Sequence, residues 1–378
     1  MTKAIILSGG WGTRLRPLTC TIPKTLIPIV NKPVIEHQIL HLKAAGVKEI
    51  VLAVSVMADI LYNYFKNGEK LGVKIEYTNE KHPLGTAGAI KLAEEYLIND
   101  NFFMLNGDVI LNFDFEAMLK AHQKTPRIGT IASKVVEDPS HYGVLMVNKT
   151  TNQLLKFLEK DEYKPPNGKI TPMPINAGVY ILEPEIFSYI EADKKVSIER
   201  EVFPRLANEN KLYHFPITGI WSDIGKPYDL LQGNILLMND MIKNLKGQVK
   251  NLVDDSAKIH PTTKIISPCV IGENVVIQDN CQIGPNVIIG DNVYIDSGST
   301  LKDCLLYNET FISKHVTIDT SIISDNCNIK KNVTMKGNNE NLVILSSYVQ
   351  VMENLEVIAP NKFPLTICHH EVVKESMK

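Results

Sequence analysis

A short apolar strand, Ala4-Ile5-Ile6-Leu7, runs directly into Ser8-Gly9-Gly10-Trp11-Gly12-Thr13-Arg14-Leu15-Arg16-Pro17-Leu18-Thr19, with Pro23-Lys24 a few residues further on. Three glycines after a strand let backbone N–H groups approach an anion without a Cβ in the way, and they supply the positive φ that a cradling turn needs. Arg14 adds a fork of donors and Lys24 a point charge. These residue types in this order suit a polyphosphate. The two common phosphate fingerprints do not fit, because no Gly-Lys-Ser/Thr closes the loop and Gly10-x-Gly12 lacks the third glycine of a dinucleotide motif. The glycines taken alone also suit an ordinary strand-to-helix turn. Two acidic residues follow apolar stretches: Asp108 in Asn106-Gly107-Asp108 after Phe102–Leu105, and Asp223 in Gly219-Ile220-Trp221-Ser222-Asp223-Ile224-Gly225. Each has the chemistry of a hard oxygen ligand for Mg²⁺, and each also suits a turn.

The sixteen-residue pattern Gly-Gly-x-Gly-Thr-Arg-Leu-x-Pro-Leu-Thr with Pro-Lys downstream resembles the signature of the sugar-1-phosphate nucleotidyltransferases. The other motifs of that family follow in order along the whole chain. The resemblance implies that Leu7, Gly9, Gly10, Gly12, Thr13, Arg14, Lys24 and Asp108 meet the nucleotide, and that Asp108 and Asp223 hold Mg²⁺. Leu84-Gly85-Thr86-Ala87-Gly88 resembles the loop at base and ribose, which assigns Gly85 and Thr86 to the nucleotide as well. Tyr142-Gly143-Val144, Phe157-Leu158-Glu159-Lys160 and Ile175-Asn176-Ala177-Gly178 resemble the sugar-binding elements. By that likeness Lys160 takes the sugar phosphate, Glu159 a sugar hydroxyl, and Gly143, Asn176 and Gly178 the ring. Arg14, Lys24, Asp108 and Asp223 are the implied catalytic set.

Within the family, Asn31-Lys32-Pro33, His37-Gln38, Ser197-Ile198-Glu199-x-Glu201-Val202-Phe203-Pro204 and Asp223-Ile224-Gly225 are most similar to the branch that transfers a guanylyl group to mannose 1-phosphate. The implied substrates are therefore GTP and mannose 1-phosphate. The base has a physical argument of its own. Pyrimidine-using relatives tend to carry Gln five residues before the loop glycine, where this chain has Glu80. A carboxylate accepts two parallel donors, matching the ring N–H and amino group of guanine. A surface Glu beside Lys81 is the plain alternative. Transfer itself needs little covalent help: a phosphate monoester is largely dianionic at neutral pH, with a second pKa of about 6. What the reaction demands is charge neutralisation and in-line positioning.

The elements that must position these groups divide into two periodicities. Strands are expected at 3–7, 49–54, 73–77, 102–105, 128–136, 143–147 and 177–182, alternating with helices. One helix starts near Pro33 and ends at Gly46, and others lie near 86–97 and 113–123. This alternation predicts an α/β layer structure, a Rossmann-like and mostly parallel sheet with ligands at the carboxyl ends of its strands. From Ile259 the pattern changes, with Ile265, Ile271, Ile277, Ile283, Ile289, Ile295 and Leu301 recurring every six residues. The repeat predicts a left-handed parallel β-helix, with frame shifts after Leu301 taken as loops excluded from the coil. The expected boundaries are 1–235 for the nucleotidyltransferase domain, 236–256 for a linker, 257–362 for the β-helix and 363–378 for a polar tail.

With 378 residues the chain exceeds one ordinary core, and 40 Lys+Arg against 42 Asp+Glu leave no net field for nucleic acid or membrane. Six cysteines without C-x-x-C spacing point to buried thiols in a cytoplasmic protein. The coil is expected to build a homo-oligomer, because its open ends and flat faces need cover. Three readings compete with GDP-mannose formation. One is glucose 1-phosphate with uridine or thymidine nucleotides; another is a second, acetyl-transferring activity at His260 or His315 of the coil; the third is a non-catalytic regulatory subunit.

Overall fold

A computed structural model of the chain describes residues 2–125, 127–245 and 249–378. Contacts divide it into two units, Met1–Trp11 with Val34–Trp221 and Gly12–Pro33 with Ser222–Lys378.

The first unit is an α/β structure. Across its sheet lie Leu154–Leu158, Val144–Val147, Met173–Leu182, Phe102–Asn106, Lys3–Ser8, Glu49–Val54 and Lys74–Asn79. From Phe102–Asn106 outward to Lys74–Asn79 every neighbour is parallel. Met173–Leu182 then runs antiparallel to Phe102–Asn106 and to Gly129–Val136, so the parallel order holds for the part of the sheet that carries the glycine loop. Strands covered on both faces read as unbroken apolar runs, and Ile50–Val54 are all buried. The first helix, Val34–Ala44, buries Val34, Ile35, Ile39 and Leu42. It stops at Gly46, whose φ of 89° frees Val47 N–H to bond the Leu42 carbonyl at 3.0 Å. Pro33 belongs to a short strand rather than to the first helical turn. Asp114 caps the Phe115–Lys124 helix by accepting from Ala117 N at 2.8 Å. Strands Val109–Asn112, Leu154–Leu158 and Leu212–Pro216 are additions to the sequence reading.

Two buried histidines in this unit make its stability pH-dependent. His122, 1% exposed, lies between Thr130 Oγ1 at 2.8 Å and Glu183 Oε1 at 2.9 Å; burial holds its pKa below the usual value and outweighs the glutamate. Burial does the same to His214, whose Nδ1 meets Ser133 Oγ at 3.0 Å. An unfolded chain takes up protons at histidine near pH 6.5, while these two take them up less readily when folded, so stability is full above that pH and declines below it. Thermal melts at pH 7.5 and pH 5.5 should show a lower midpoint in acid, and His122→Gln should shrink the difference.

The second unit contains the coil. Short parallel strands stack from Leu252–Val253, paired with Val270–Ile271, through to Val372–Val373. Ile271, Ile277, Ile283, Ile289, Ile295 and Leu301 all lie in its interior at 0–1% exposure. Successive coils begin 18 residues apart, as in the Asn274–Asn292 bond between their corners. Asn274, Asn280, Asn286 and Asn292 turn those corners with φ between 55° and 58°, a conformation asparagine tolerates. After Leu301 the step falls to 17 residues and Thr300–Leu306 runs on as one strand, so the frame shift there is a shortened coil, not an excluded loop. The next shift, from Ile318 to Ile323, likewise lies inside one strand, Thr317–Ile323, and only beyond Met335 does an insertion raise the step to 22, where Asn338 and Asn341 bond each other's backbone at 2.7–2.8 Å. Pro227–Asn244 forms a single helix, while residues 246–248 of the expected linker lie outside the described residues. Leu365–Ile367 and Val372–Val373 place much of the expected tail within the coil. Cys269, Cys281, Cys304 and Cys327 are buried free thiols, pushed to higher pKa by that burial. Among the described residues, no helix is long and apolar enough to cross a membrane.

Candidate active site

In the first unit, Leu7 and Asn106 sit opposite each other on parallel strands, and Gly107 N donates to the Leu7 carbonyl at 2.9 Å. Gly9, Gly10 and Asp108 therefore emerge from neighbouring carboxyl ends, where open α/β sheets bind ligands. Gly10 has φ 97° and nothing within 4 Å of where a Cβ would be, leaving its backbone open to an anion. Gln38, 1% exposed, donates from Nε2 to both the Asn106 and the Val109 carbonyls at 2.9 Å. It staples both ends of the turn that presents Asp108, a role the sequence reading did not assign.

Glu80 follows the outer parallel strand Lys74–Asn79, its N–H bonded to Val54 O at 3.1 Å. Its Oε2 accepts from Leu84 N at 2.9 Å, which fixes the loop leading to Gly85. Gly85 has φ 72°, and a Cβ there would meet Val196 O at 2.5 Å, so only glycine serves. Thr86 Oγ1 accepts from Ile198 N at 2.9 Å and donates to Glu199 Oε2 at 2.6 Å. The hydroxyl thus faces protein.

The sugar motifs meet contact by contact. Gly178, with φ 72°, lies against Asn106, whose Nδ2 would be 2.9 Å from an added Cβ. Asn176 N donates to Gly143 O at 2.8 Å, and its side chain joins Gly178 N at 3.1 Å to the Tyr180 hydroxyl at 2.8 Å. Glu159 Oε1 is 3.4 Å from where a Gly143 Cβ would stand. Burial, and then the nearby Glu199, push the Glu159 carboxyl above the usual range, opposed by Arg200. Arg200 is held mainly by Asp161, with two bonds of 3.0 Å. Lys160 follows Glu159 as an exposed side chain. Trp221 Nε1 donates to Ala177 O at 2.9 Å, and its ring meets Tyr142 edge-on at 5.3 Å.

The second unit carries the remaining candidates. Gly12 has φ 57°, and a Cβ there would press on Thr19 Cγ2 at 2.9 Å and on Lys24 Cβ at 3.1 Å. Thr19 Oγ1 closes the segment onto Gly12 O at 2.8 Å. Thr13, Arg14 and Leu15 form a 3₁₀ turn anchored by buried Leu15. Around Gly225, Asp229 Oδ2, Asp223 Oδ2 and Arg14 Nη1 converge to 3.0, 3.2 and 3.4 Å from where a Cβ would stand. Asp229 is an addition to the sequence reading. Its signal was an acid in the first turn of a helix opened by Pro227, where the dipole favours a negative charge.

Each unit presents carboxylates of the hard-oxygen type that a Mg²⁺-class ion takes, Asp108 in the first and Asp223 with Asp229 in the second. Among the described residues no cluster of three or more His, Cys, Asp or Glu forms a protein cage. So few carboxylates in either unit suit an ion that draws most of its oxygens from phosphate and water.

A glycine-rich loop at the carboxyl end of an open α/β sheet, joined to a hexapeptide coil, defines a nucleotide-handling α/β protein with a β-helix attached. Residues 3–240 match the Nucleotidyl transferase family, and residues 265–378 match the GMPPB C-terminal domain. A mannose-1-phosphate guanylyltransferase catalytic subunit beta from Danio rerio is 38% identical over 96% of this chain and 96% of its own. A probable mannose-1-phosphate guanylyltransferase 2 from Oryza sativa subsp. japonica is 36% identical over 95% and 96%. Among solved structures, HddC from Yersinia pseudotuberculosis complexed with GMP-PN is 29% identical, with TM-score 0.53 over 62% of this chain and 98% of that one. A putative glucose-1-phosphate thymidylyltransferase from Bacillus anthracis is 25% identical, with TM-score 0.56 over 62% and 95%. The chain belongs to the nucleotidyltransferase family and, within it, to the mannose-1-phosphate guanylyltransferases.

Proposed function

We propose that the protein joins GTP to mannose 1-phosphate, forming GDP-mannose and releasing pyrophosphate. The observation that carries this reading is a string of hydrogen bonds and close approaches in the first unit. It runs from Leu7 through Gly107, Asn106 and Gly178 to Asn176, Gly143 and Glu159, in a chain similar over 96% of its length to a guanylyltransferase of that specificity. The sugar phosphate oxygen attacks the α-phosphorus in line, and the bond from that phosphorus to the bridging oxygen of pyrophosphate breaks. Arg14 and Lys24 neutralise the triphosphate and the leaving group. Gly9, Gly10, Gly12 and Thr13 lend backbone to the phosphates, while Glu80, Gly85 and Thr86 frame the nucleoside. Lys160 orients the nucleophile, and Glu159, with Gly143, Asn176 and Gly178, holds the mannosyl ring. Asp108 and Asp223 are the carboxylates for Mg²⁺, which when bound supplies charge neutralisation on the phosphates.

The coil serves assembly into a homo-oligomer in this reading, and six free cysteines support a cytoplasmic setting. An acetyl-transferring activity is not favoured, since His260 and His315 are both exposed on coil corners, His260 bonding Thr262 Oγ1 at 2.9 Å. Pyrophosphate release over a matrix of nucleoside triphosphates and sugar 1-phosphates tests the proposal. GTP with mannose 1-phosphate is expected to give the highest kcat/KM, with no acetyl-CoA consumed. A preference for UTP or dTTP with glucose 1-phosphate would overturn it.

A further inference from the structure

The segment bearing Arg14 and Lys24 ends in a hairpin whose geometry is unusual. Pro28–Ile29 pairs antiparallel with Lys32–Pro33, and the two residues between them, Val30 and Asn31, have φ of 49° and 63°. A two-residue turn with both centres left-handed normally calls on Asn and Gly. Valine is branched at Cβ and rarely enters that region, so its conformation must be imposed by its surroundings.

Those surroundings are specific. Val30, 6% exposed, donates its N–H to Asn234 Oδ1 at 2.8 Å. Asn234, 1% exposed on the Pro227–Asn244 helix, donates from Nδ2 to its own helix at Leu230 O, 2.9 Å away, which turns Oδ1 toward the hairpin. Asn31 Nδ2 donates to Ile289 O on the coil at 2.7 Å. The Tyr307 hydroxyl meets Pro28 O at 3.4 Å, and upstream the buried Ser346 hydroxyl meets Pro17 O at 3.3 Å. Ile27 and Ile29, flanking the hairpin's first residue, are fully buried. Between these ties lies the 3₁₀ turn that starts at Lys24, which reaches the strained valine within a few residues.

We infer that Asn234 is a positioning residue for nucleotidyl transfer. By holding Val30 in a left-handed conformation, and with the coil holding Asn31, it sets where Lys24 and its segment meet the triphosphate. The inference rests on the function proposed above and adds to it: the coil and its preceding helix act on the chemistry within a single chain, apart from any part in assembly. A buried polar side chain spent on the backbone of a strained residue has no need to exist for packing alone.

The test uses the full-length protein. Asn234→Leu keeps the volume and removes the acceptor, and it should lower kcat/KM for GTP about tenfold, the size of one buried hydrogen bond. KM for the sugar phosphate should stay unchanged. Adding Val30→Gly should restore most of the loss, because glycine adopts positive φ without a partner. Asn234→Ala removes the same acceptor without crowding the helix or burying a charge and should show the same loss in GTP kcat/KM, which covers the case in which the leucine variant fails to fold. Unchanged GTP kinetics in Asn234→Leu, or no recovery on adding Val30→Gly, would overturn the inference. Equilibrium GTP binding to the same variants reads the segment without turnover. A wild type that binds GTP but transfers nothing to mannose 1-phosphate would thus count against the proposed function, while the variants' affinities still decide the role of Asn234.

Discussion

Replacing either Asp108 or Asp223 by asparagine is expected to lower turnover by on the order of a hundred- to a thousandfold, with the melting temperature little changed. The amide keeps the shape of the side chain and removes the charge for which a hard cation prefers a carboxylate. The turn that carries Asp108 is held by backbone atoms, through Gly107 N to Leu7 O and through Gln38 to the Asn106 and Val109 carbonyls, and those bonds survive the change. Asp223 stands with Asp229 and Arg14 about Gly225, so its loss also leaves Arg14 with one carboxylate fewer beside it. Steady-state rates at increasing Mg²⁺, beside thermal melts, make the measurement. Near-normal turnover at saturating metal in either variant would remove that residue from the site.

Glu80→Gln is expected to reduce GTP use by roughly ten- to a hundredfold, about 1.5 to 3 kcal/mol for one charge-assisted bond of a bidentate pair, and to improve UTP or dTTP relative to GTP. The structure makes glutamine the right probe. One oxygen of Glu80 holds Leu84 N at 2.9 Å, and the carbonyl oxygen of an amide can keep that bond. The –NH₂ then replaces the oxygen proposed to accept from guanine, turning an acceptor into a donor. Glu80→Ala would instead release the loop and confound the base with the backbone. Competition between GTP and UTP at fixed mannose 1-phosphate reads the ratio directly. An unchanged ratio would place recognition of the base elsewhere, most plainly on backbone groups near Gly85.

What the sequence disclosed depended on periodicity. Ile50 to Val54 form an unbroken apolar run, and that run marks the strand there to the residue. The six-residue spacing from Ile259 to Leu301 has one physical solution, a coil of stacked parallel strands. The coil's phase changes were ambiguous, because deletion of one residue and exclusion of a loop disturb a repeat alike. Strands Leu154–Leu158 and Leu212–Pro216 give no signal because each is short and partly exposed, and their residue types do not alternate between apolar and polar. Among the candidate residues, glycines with positive φ and acids after apolar strands announced themselves by type. Gln38, Glu199, Asp229 and Asn234 did not. Each is a single polar side chain whose partner lies far along the chain or only on a folded loop, and no local pattern encodes such a pairing.

The Gly12–Pro33 segment makes its supporting bonds with residues 204, 258, 279 and 329 positions later in the chain. Coil neighbours, by contrast, are only 17 to 22 residues apart, so the coil can grow turn by turn as it is made. During synthesis the early segment must therefore wait, its apolar residues uncovered, until most of the polypeptide has left the ribosome. Competence for catalysis would then arrive late and nearly all at once, and a nascent chain halted before Tyr307 would hold the signature loop without the framework that fixes it.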